Sequence, residues 1–163
     1  MCIRDRYRVK AGGELMRDLR FRAWDEGNNK MYSPEELEQE NASDVEKTIY
    51  GYLSFGSLMI FDFKNPEEPA ELFPLQSTGW YDNEQKEIFE GDIVESDTGL
   101  YQIMWSEEIA GFILLGNDGS MAMGGPYMSD VFKLKGNIYQ NPELLKFDMN
   151  NMENMGKADN MNK

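Results

Sequence analysis

The chain has no histidine among its 163 residues, and its one cysteine is Cys2. Without histidine the Ser-His-Asp and Cys-His designs are excluded, and zinc would have to be held by carboxylates alone. A single cysteine makes no disulfide framework, so a reducing compartment is the natural setting. Long apolar runs are missing too. The longest candidate, around Leu58-Met59-Ile60-Phe61, is cut by Asp62 and Lys64 and is too short to cross a bilayer, so a soluble protein with no membrane partner is expected. Positive charge is scarce: 16 Lys and Arg stand against 30 Asp and Glu, a net charge of −14. Such a surface repels phosphate, which opposes direct nucleic-acid binding and favours solubility, basic protein partners or a bound cation.

Much of the positive charge collects at the amino terminus. Residues 1–15 carry Arg4, Arg6, Arg8 and Lys10 against Asp5 and Glu14, with no hydrophobic period. No apolar stretch or small-residue cleavage site follows, so this is not a secretory signal. Ala11-Gly12-Gly13-Glu14-Leu15-Met16 can be encoded by DNA that holds a bacterial ribosome-binding sequence about seven nucleotides before an ATG. Residues 1–15 are therefore expected to be a non-native leader with Met16 as the start, which takes the net charge to −16. A genuine basic arm is the alternative.

The rest reads as mainly β, of the α+β kind. Leu19, Phe21 and Ala23 alternate with Arg20 and Arg22, the period of a strand with one buried face. Asp25 to Asn29 supply a turn, and Lys30-Met31-Tyr32 the return strand. Ser33-Pro34-Glu35-Glu36 presents an N-cap, a proline at the first helical position and a glutamate that can reach back to the cap, so a short helix should run to about Gln39. Beyond it only Leu37 and Val45 suit a core, and the segment reads as solvated. Lys47–Phe55 and Leu58–Phe63 form a second hairpin about Gly56-Ser57. The prolines and paired acids of 64–70 mark a division.

After that division strand signals recur at 72–76, 87–89, 92–95, 100–105, 111–115 and 131–139. Asp97-Thr98-Gly99 and Asn117-Asp118-Gly119 are turns between them. This spacing suggests a small SH3-like β-barrel with antiparallel pairing. Met121–Asp130 is glycine-rich and reads as irregular, while 141–145 reads as a helical turn capping the barrel. The expected organisation is an N-terminal β-hairpin-rich extension with one short helix over 16–64, a small β-barrel domain over 71–145, and a disordered Asn- and Met-rich tail over 146–163.

Candidate chemistry is thin. Glu67-Glu68 and Glu107-Glu108 are acid pairs of the kind a divalent metal or an acid–base catalyst uses, but neighbours on a strand face opposite sides, and solvated charge is the simpler reading. Gly116-Asn117-Asp118-Gly119 and Gly124-Gly125-Pro126 lack the following Lys and Ser or Thr of a phosphate-binding loop. No catalytic set, metal site or cofactor is expected. The best stretch for displaying a binding side chain is Thr78-Gly79-Trp80-Tyr81-Asp82, an indole in a turn-like setting, although burial of Trp80 is the preferred reading even there. Glu90-Gly91-Asp92-Ile93-Val94 reads as a strand entry, with glycine at the bend and carboxylates bonding local amides.

Three ordered blocks carry a resemblance. Phe21-Arg22-Ala23-Trp24-Asp25, then Thr78-Gly79 with Lys86-Glu87-Ile88-Phe89-Glu90-Gly91-Asp92-Ile93-Val94, then Gly136-Asn137-Ile138-Tyr139 through Pro142-Glu143-Leu144-Leu145 resemble the YopX family over most of 16–145. The resemblance implies a short, β-rich bacteriophage or prophage protein of the host bacterial cytoplasm without an established activity, so no catalytic residue carries over. One position departs from the family. Asn83-Glu84-Gln85-Lys86 replaces an Asn-Gly-Lys type of turn, and a longer loop is expected there. The reading is then a non-enzymatic binding protein acting as a homo-oligomer, because a small sheet with exposed edges and surface aromatics gains by pairing with its own copies. A host protein is the further partner. Two alternatives stay open: an acidic mimic of nucleic acid that occupies a host DNA-binding protein, and a carboxylate- or metal-dependent enzyme or small-ligand sequestering protein.

Overall fold

A computed structural model of the chain describes residues 7–9, 15–38 and 46–145, with side chains from residue 18 onward. The expected tail, Gln39, Val45 and most of the expected leader lie outside these residues. A two-stranded ribbon, β1 (Tyr7–Val9) with β2 (Leu15–Arg17), stands apart from two larger sheets. The first sheet contains β3 (Phe21–Asp25), β4 (Lys30–Tyr32), β5 (Ile49–Ser54), β6 (Ser57–Asp62), β7 (Ala70–Tyr81) and β8 (Glu87–Phe89). Its order is β4-β3-β7-β6-β5, with β8 on the far half of β7. The second contains β9 (Asp92–Ser96), β10 (Gly99–Ser106), β11 (Gly111–Gly116), β12 (Met121–Met123) and β13 (Lys133–Asn137), in the order β12-β11-β10-β9-β13. Every pairing among the described residues is antiparallel.

Short-range chemistry places the punctuation. Helix α1 (Pro34–Glu38) opens with a capping box: the Ser33 amide donates to Glu36 Oε2 at 2.9 Å and the Glu36 amide donates to Ser33 Oγ at 3.2 Å. The β5–β6 turn lies one residue earlier than expected, at Phe55-Gly56, with φ of 50° and 85°. Two positive φ values make it the type I′ turn whose twist matches the flanking strands. Residues 63–69 form the loop between β6 and β7, which pair across it from Asp62 with Ala70.

The described residues form two cores, and the first sheet contributes to both through β7 and β8. Ala23, Ile49, Ile60 and Leu72 form one, with Tyr32, Leu37 and Leu58 packed on it. Ile88, Val94, Ile103, Phe112, Leu114, Met128 and Phe132 form the other. Strand β7 connects them, since Leu72 belongs to the first and Trp80 packs against the second.

Four expectations need correction. The second sheet is open: its end strands β12 and β13 do not pair, so the small SH3-like β-barrel is not a closed barrel. Its ends are weak, β12 being three exposed residues and β13 shifting register between Leu134 and Gly136. Met121–Asp130 is not wholly irregular, because it supplies β12 and begins helix α2 (Met128–Val131), whose Met128 is fully buried. Strand β3 has no solvent face, for Arg22, Trp24 and Asp25 are buried along with Ala23.

The fourth concerns Asn83-Glu84-Gln85-Lys86. The loop is tight: Gln85 N donates to Asp82 O at 3.0 Å, Asp82 N donates to Lys86 O at 2.9 Å, and Gln85 itself takes φ of 63°. This is a turn followed by a left-handed residue, the place where glycine is cheapest. Gln85→Gly is therefore expected to raise stability by about 1 kcal/mol. A urea melt showing no gain or a loss would contradict that strain.

Candidate interaction surface

The stretch singled out for binding lies where β7 leaves one core for the other. Thr78 is buried, its hydroxyl donating to Ile88 O at 2.7 Å while accepting from Trp80 N at 3.0 Å. Gly79 takes φ of 77° where the β7–β8 register shifts. Trp80 is half-buried beneath Gly124, where an added Cβ would overlap the ring, and sits edge-on to Phe112 at 6.2 Å. Tyr81 and Asp82 are buried. Asp82 Oδ1 accepts from the amides of Glu84 (2.9 Å) and Lys86 (2.8 Å), and Oδ2 accepts from Leu134 N at 2.9 Å. The five residues thus sit together, with Asp82 turned to backbone amides.

The strand entry at Glu90-Gly91-Asp92 is a structural junction. Gly91 has φ of 83°, and a Cβ there would come within 2.8 Å of Tyr139 Cε2. Asp92, 1% exposed, accepts Phe89 N on Oδ2 at 2.8 Å and meets Arg22 Nη2 with Oδ1 at 2.7 Å. Arg22 also donates to Glu90 O at 3.1 Å and lies 5.0 Å from the Phe89 ring centre. Burial pushes the Asp92 carboxyl up to about 6, although Arg22 and the Phe89 amide favour its charged form. Beside this pair Trp24 packs on Tyr139 at 5.5 Å. Arg22 is the residue that the alternation rule missed, and it joins the first sheet to the second.

Aromatic side chains are displayed at the opposite end of the first sheet. Tyr50 faces Phe61 and Tyr52 faces Met59 across β5–β6. Their rings form a continuous set: Tyr52 stacks on Phe61 at 5.9 Å, Phe61 lies 6.2 Å from Phe63, and Phe63 lies 6.1 Å from Tyr50. Phe73 of β7 is exposed on the same face, two residues beyond Glu71, which pairs with Phe61. On the other face a cavity of about 350 Å³ runs between this sheet and α1, floored by Leu37, Ile49, Leu58 and Ile60 and edged by Arg20 and Lys47. Among the described residues no three Asp, Glu or Cys side chains gather as a metal site, and no helix is long and apolar enough to cross a membrane.

No curated protein matches the chain. A crystal structure of protein EF1440 from Enterococcus faecalis is similar, with a TM-score of 0.50 and 25% identity, covering 79% of this chain and 99% of that one. The family profile described as YopX protein matches residues 20–146, a span that takes in both sheets, the Arg22–Asp92 junction and the aromatic face. The chain belongs to the YopX family.

Proposed function

We propose that this protein is a phage or prophage accessory protein of the host bacterial cytoplasm that acts by binding other protein chains, its own copies first, and not by catalysis. The observation that carries this reading is the aromatic face on which Tyr50, Tyr52, Phe63 and Phe73 are exposed around a half-buried Phe61. Contiguous exposed aromatics are typical of interaction sites, and Tyr in particular combines a large contact area with a polar end. Buried polar groups support the same reading because they maintain the fold: Asp25 accepts from Asn28, Asp82 from three backbone amides, Asp92 from Phe89 and Arg22, and Asn137 from the Tyr139 and Gln140 amides. The strand order of the second sheet, with the last strand beside its first, fits an SH3-like barrel opened between β12 and β13.

The charge distribution favours this reading over nucleic-acid mimicry. A mimic needs acids spaced along one ridge. Here Glu35 and Glu36 are on α1, Glu67 and Glu68 in the β6–β7 loop, Glu107 and Glu108 in the β10–β11 loop, and several acids are paired, Glu35 with Arg20, Glu36 with Lys30 and Glu95 with Lys135. Co-expression of a tagged and an untagged copy in bacteria, followed by affinity capture at low and high salt, tests the proposal. The untagged copy should be retained at both salt concentrations, as apolar contact is insensitive to screening. Capture of a basic DNA-binding protein alone, lost at high salt, would overturn it in favour of the mimic.

A further inference from the structure

Sheet edges present unpaired backbone groups, and proteins blunt them with lysine, proline, bulges or short length. Counting β8, which hangs off the path of the first sheet, the two large sheets have five end strands, and four are treated in this way. β4 carries Lys30, β13 carries Lys133 and Lys135 and a register shift, and β8 and β12 are three residues long. Strand β5 has none of these devices. It has six residues, ends the first sheet, and reads Ile-Tyr-Gly-Tyr-Leu-Ser with no charge and no proline, in a chain of net charge −14. Among the described residues no strand pairs with its outer edge.

The phase of the ladder shows which groups that edge offers. Phe63 N donates to Thr48 O at 2.9 Å, so residues 48, 50, 52 and 54 direct their backbone groups at β6. Ile49, Gly51 and Leu53 direct theirs outward. Gly51 is the midpoint of a segment, Lys47 to Phe55, that is nearly the same chemistry in both directions. Two copies meeting antiparallel about Gly51 would set Gly51 opposite Gly51, Tyr50 beside Tyr52, Ile49 beside Leu53, Thr48 beside Ser54, and Lys47 over Phe55. A two-fold interface requires this kind of self-complementarity.

The tip of the hairpin supplies an independent observation. Phe55 takes φ of 50° and is fully exposed at 108%, and Leu53 is 73% exposed. A bulky residue in the left-handed region costs free energy, and inside one copy its ring gains no burial in return. In the paired arrangement a Lys47 ammonium is supplied for that ring, in a cation–π contact like the one Lys47 already makes with Tyr50 at 5.7 Å.

We infer that the edge of β5 is the site where two copies of this chain join, antiparallel and centred on Gly51, extending the first sheet and its aromatic face across the two-fold axis. The inference rests on the oligomeric reading above and adds its surface and register. Sedimentation equilibrium of the full chain is the test, with Leu53→Lys, Met121→Lys as a control on the β12 edge, and Gly51→Cys in a Cys2→Ser background treated with a short bis-thiol cross-linker. Leu53→Lys should keep the wild-type circular dichroism spectrum and weaken self-association about 30-fold or more, the loss typical of a central contact. Met121→Lys should leave association unchanged. Gly51→Cys should cross-link to a covalent dimer, because only a two-fold axis at this residue brings it opposite itself. A wild-type chain that stays monomeric at every concentration would overturn both this inference and the oligomeric reading. An oligomer that ignores Leu53→Lys and leaves Gly51→Cys uncross-linked would overturn the β5 site alone.

Discussion

Arg22→Met is expected to destabilise the protein by about 3–5 kcal/mol, because it strands a carboxylate that is 1% exposed. The cost is large because burial has already removed water from both partners. The Nη2 to Oδ1 contact is 2.7 Å, the guanidinium has Glu90 O as a further acceptor, and its Nε has no partner among the described groups. Asp92→Asn should cost a comparable amount, since the stranded group is then Arg22. The double variant should cost less than the two single losses together, by about 2 kcal/mol, because no unpaired charge remains. Urea unfolding with unchanged slopes would measure all three.

Acidity gives a second readout on the same pair. With its carboxyl raised to about 6, folded Asp92 holds a proton more tightly than the unfolded chain does. Its contribution to stability is full below about pH 4 and is lost as pH rises through 6. Glu35, Glu36 and Glu84 are lowered, by hydrogen bonds to backbone or side-chain donors and by nearby cations, so their contributions vanish as pH falls, in a lower window. Asp92→Asn should therefore remove most of the decline between pH 4 and 6, leaving the part due to Glu90, whose carboxyl burial also raises. Arg22→Met should extend that decline to higher pH, because the cation that opposes burial is gone. An additive cycle together with an unchanged pH profile would show that the two side chains are not coupled.

What the sequence made legible was local. Ser33 and Glu36 are three residues apart and bond each other directly, so the capping box needed no knowledge of the fold. Gly91 and Gly119 adopt the positive φ that their turns suggested. Most of the misses have a different cause, a partner distant in the chain; Gln85 is the exception, because its turn depends on Asp82 three residues before it. Arg22 follows a clean apolar–basic alternation, and a strand buried on both faces reads as half-buried when its second face meets an aspartate in another sheet. Asp82 occurs in a turn-like run of residues, but the amide of Leu134, in another sheet, holds it inward. Gln85 looked incompatible with a tight turn because the carboxylate bonding the amides on either side of it belongs to Asp82. The aromatic face was visible as composition, while its separation from the core followed only from pairing β5 with β6 in the observed register.

Asp82→Ala is the second large loss expected, about 2–4 kcal/mol, and its argument is the number of amides one carboxylate serves. Hydrogen bonds to charged groups contribute about 1.5–3 kcal/mol each. The Glu84 and Lys86 amides belong to exposed residues and can rebond water, whereas Leu134 N lies where the β7–β8 loop meets the second sheet. Asn83 N donates to Phe132 O at 2.8 Å in the same place, so loss of Asp82 should loosen the loop from β13 and not just open a turn. Asp82→Asn separates the two functions: its single carbonyl oxygen can accept on the loop side or the Leu134 side, leaving an amide donor facing a donor on the other. Hydrogen exchange should therefore quicken at Leu134, Glu84 and Lys86 together in the alanine variant, and on one side alone in the asparagine variant. If Asp82→Ala costs under about 1 kcal/mol with exchange unchanged, the carboxylate is not what holds the junction. It would then be available for the binding role that the sequence assigned to Thr78, Gly79, Trp80, Tyr81 and Asp82.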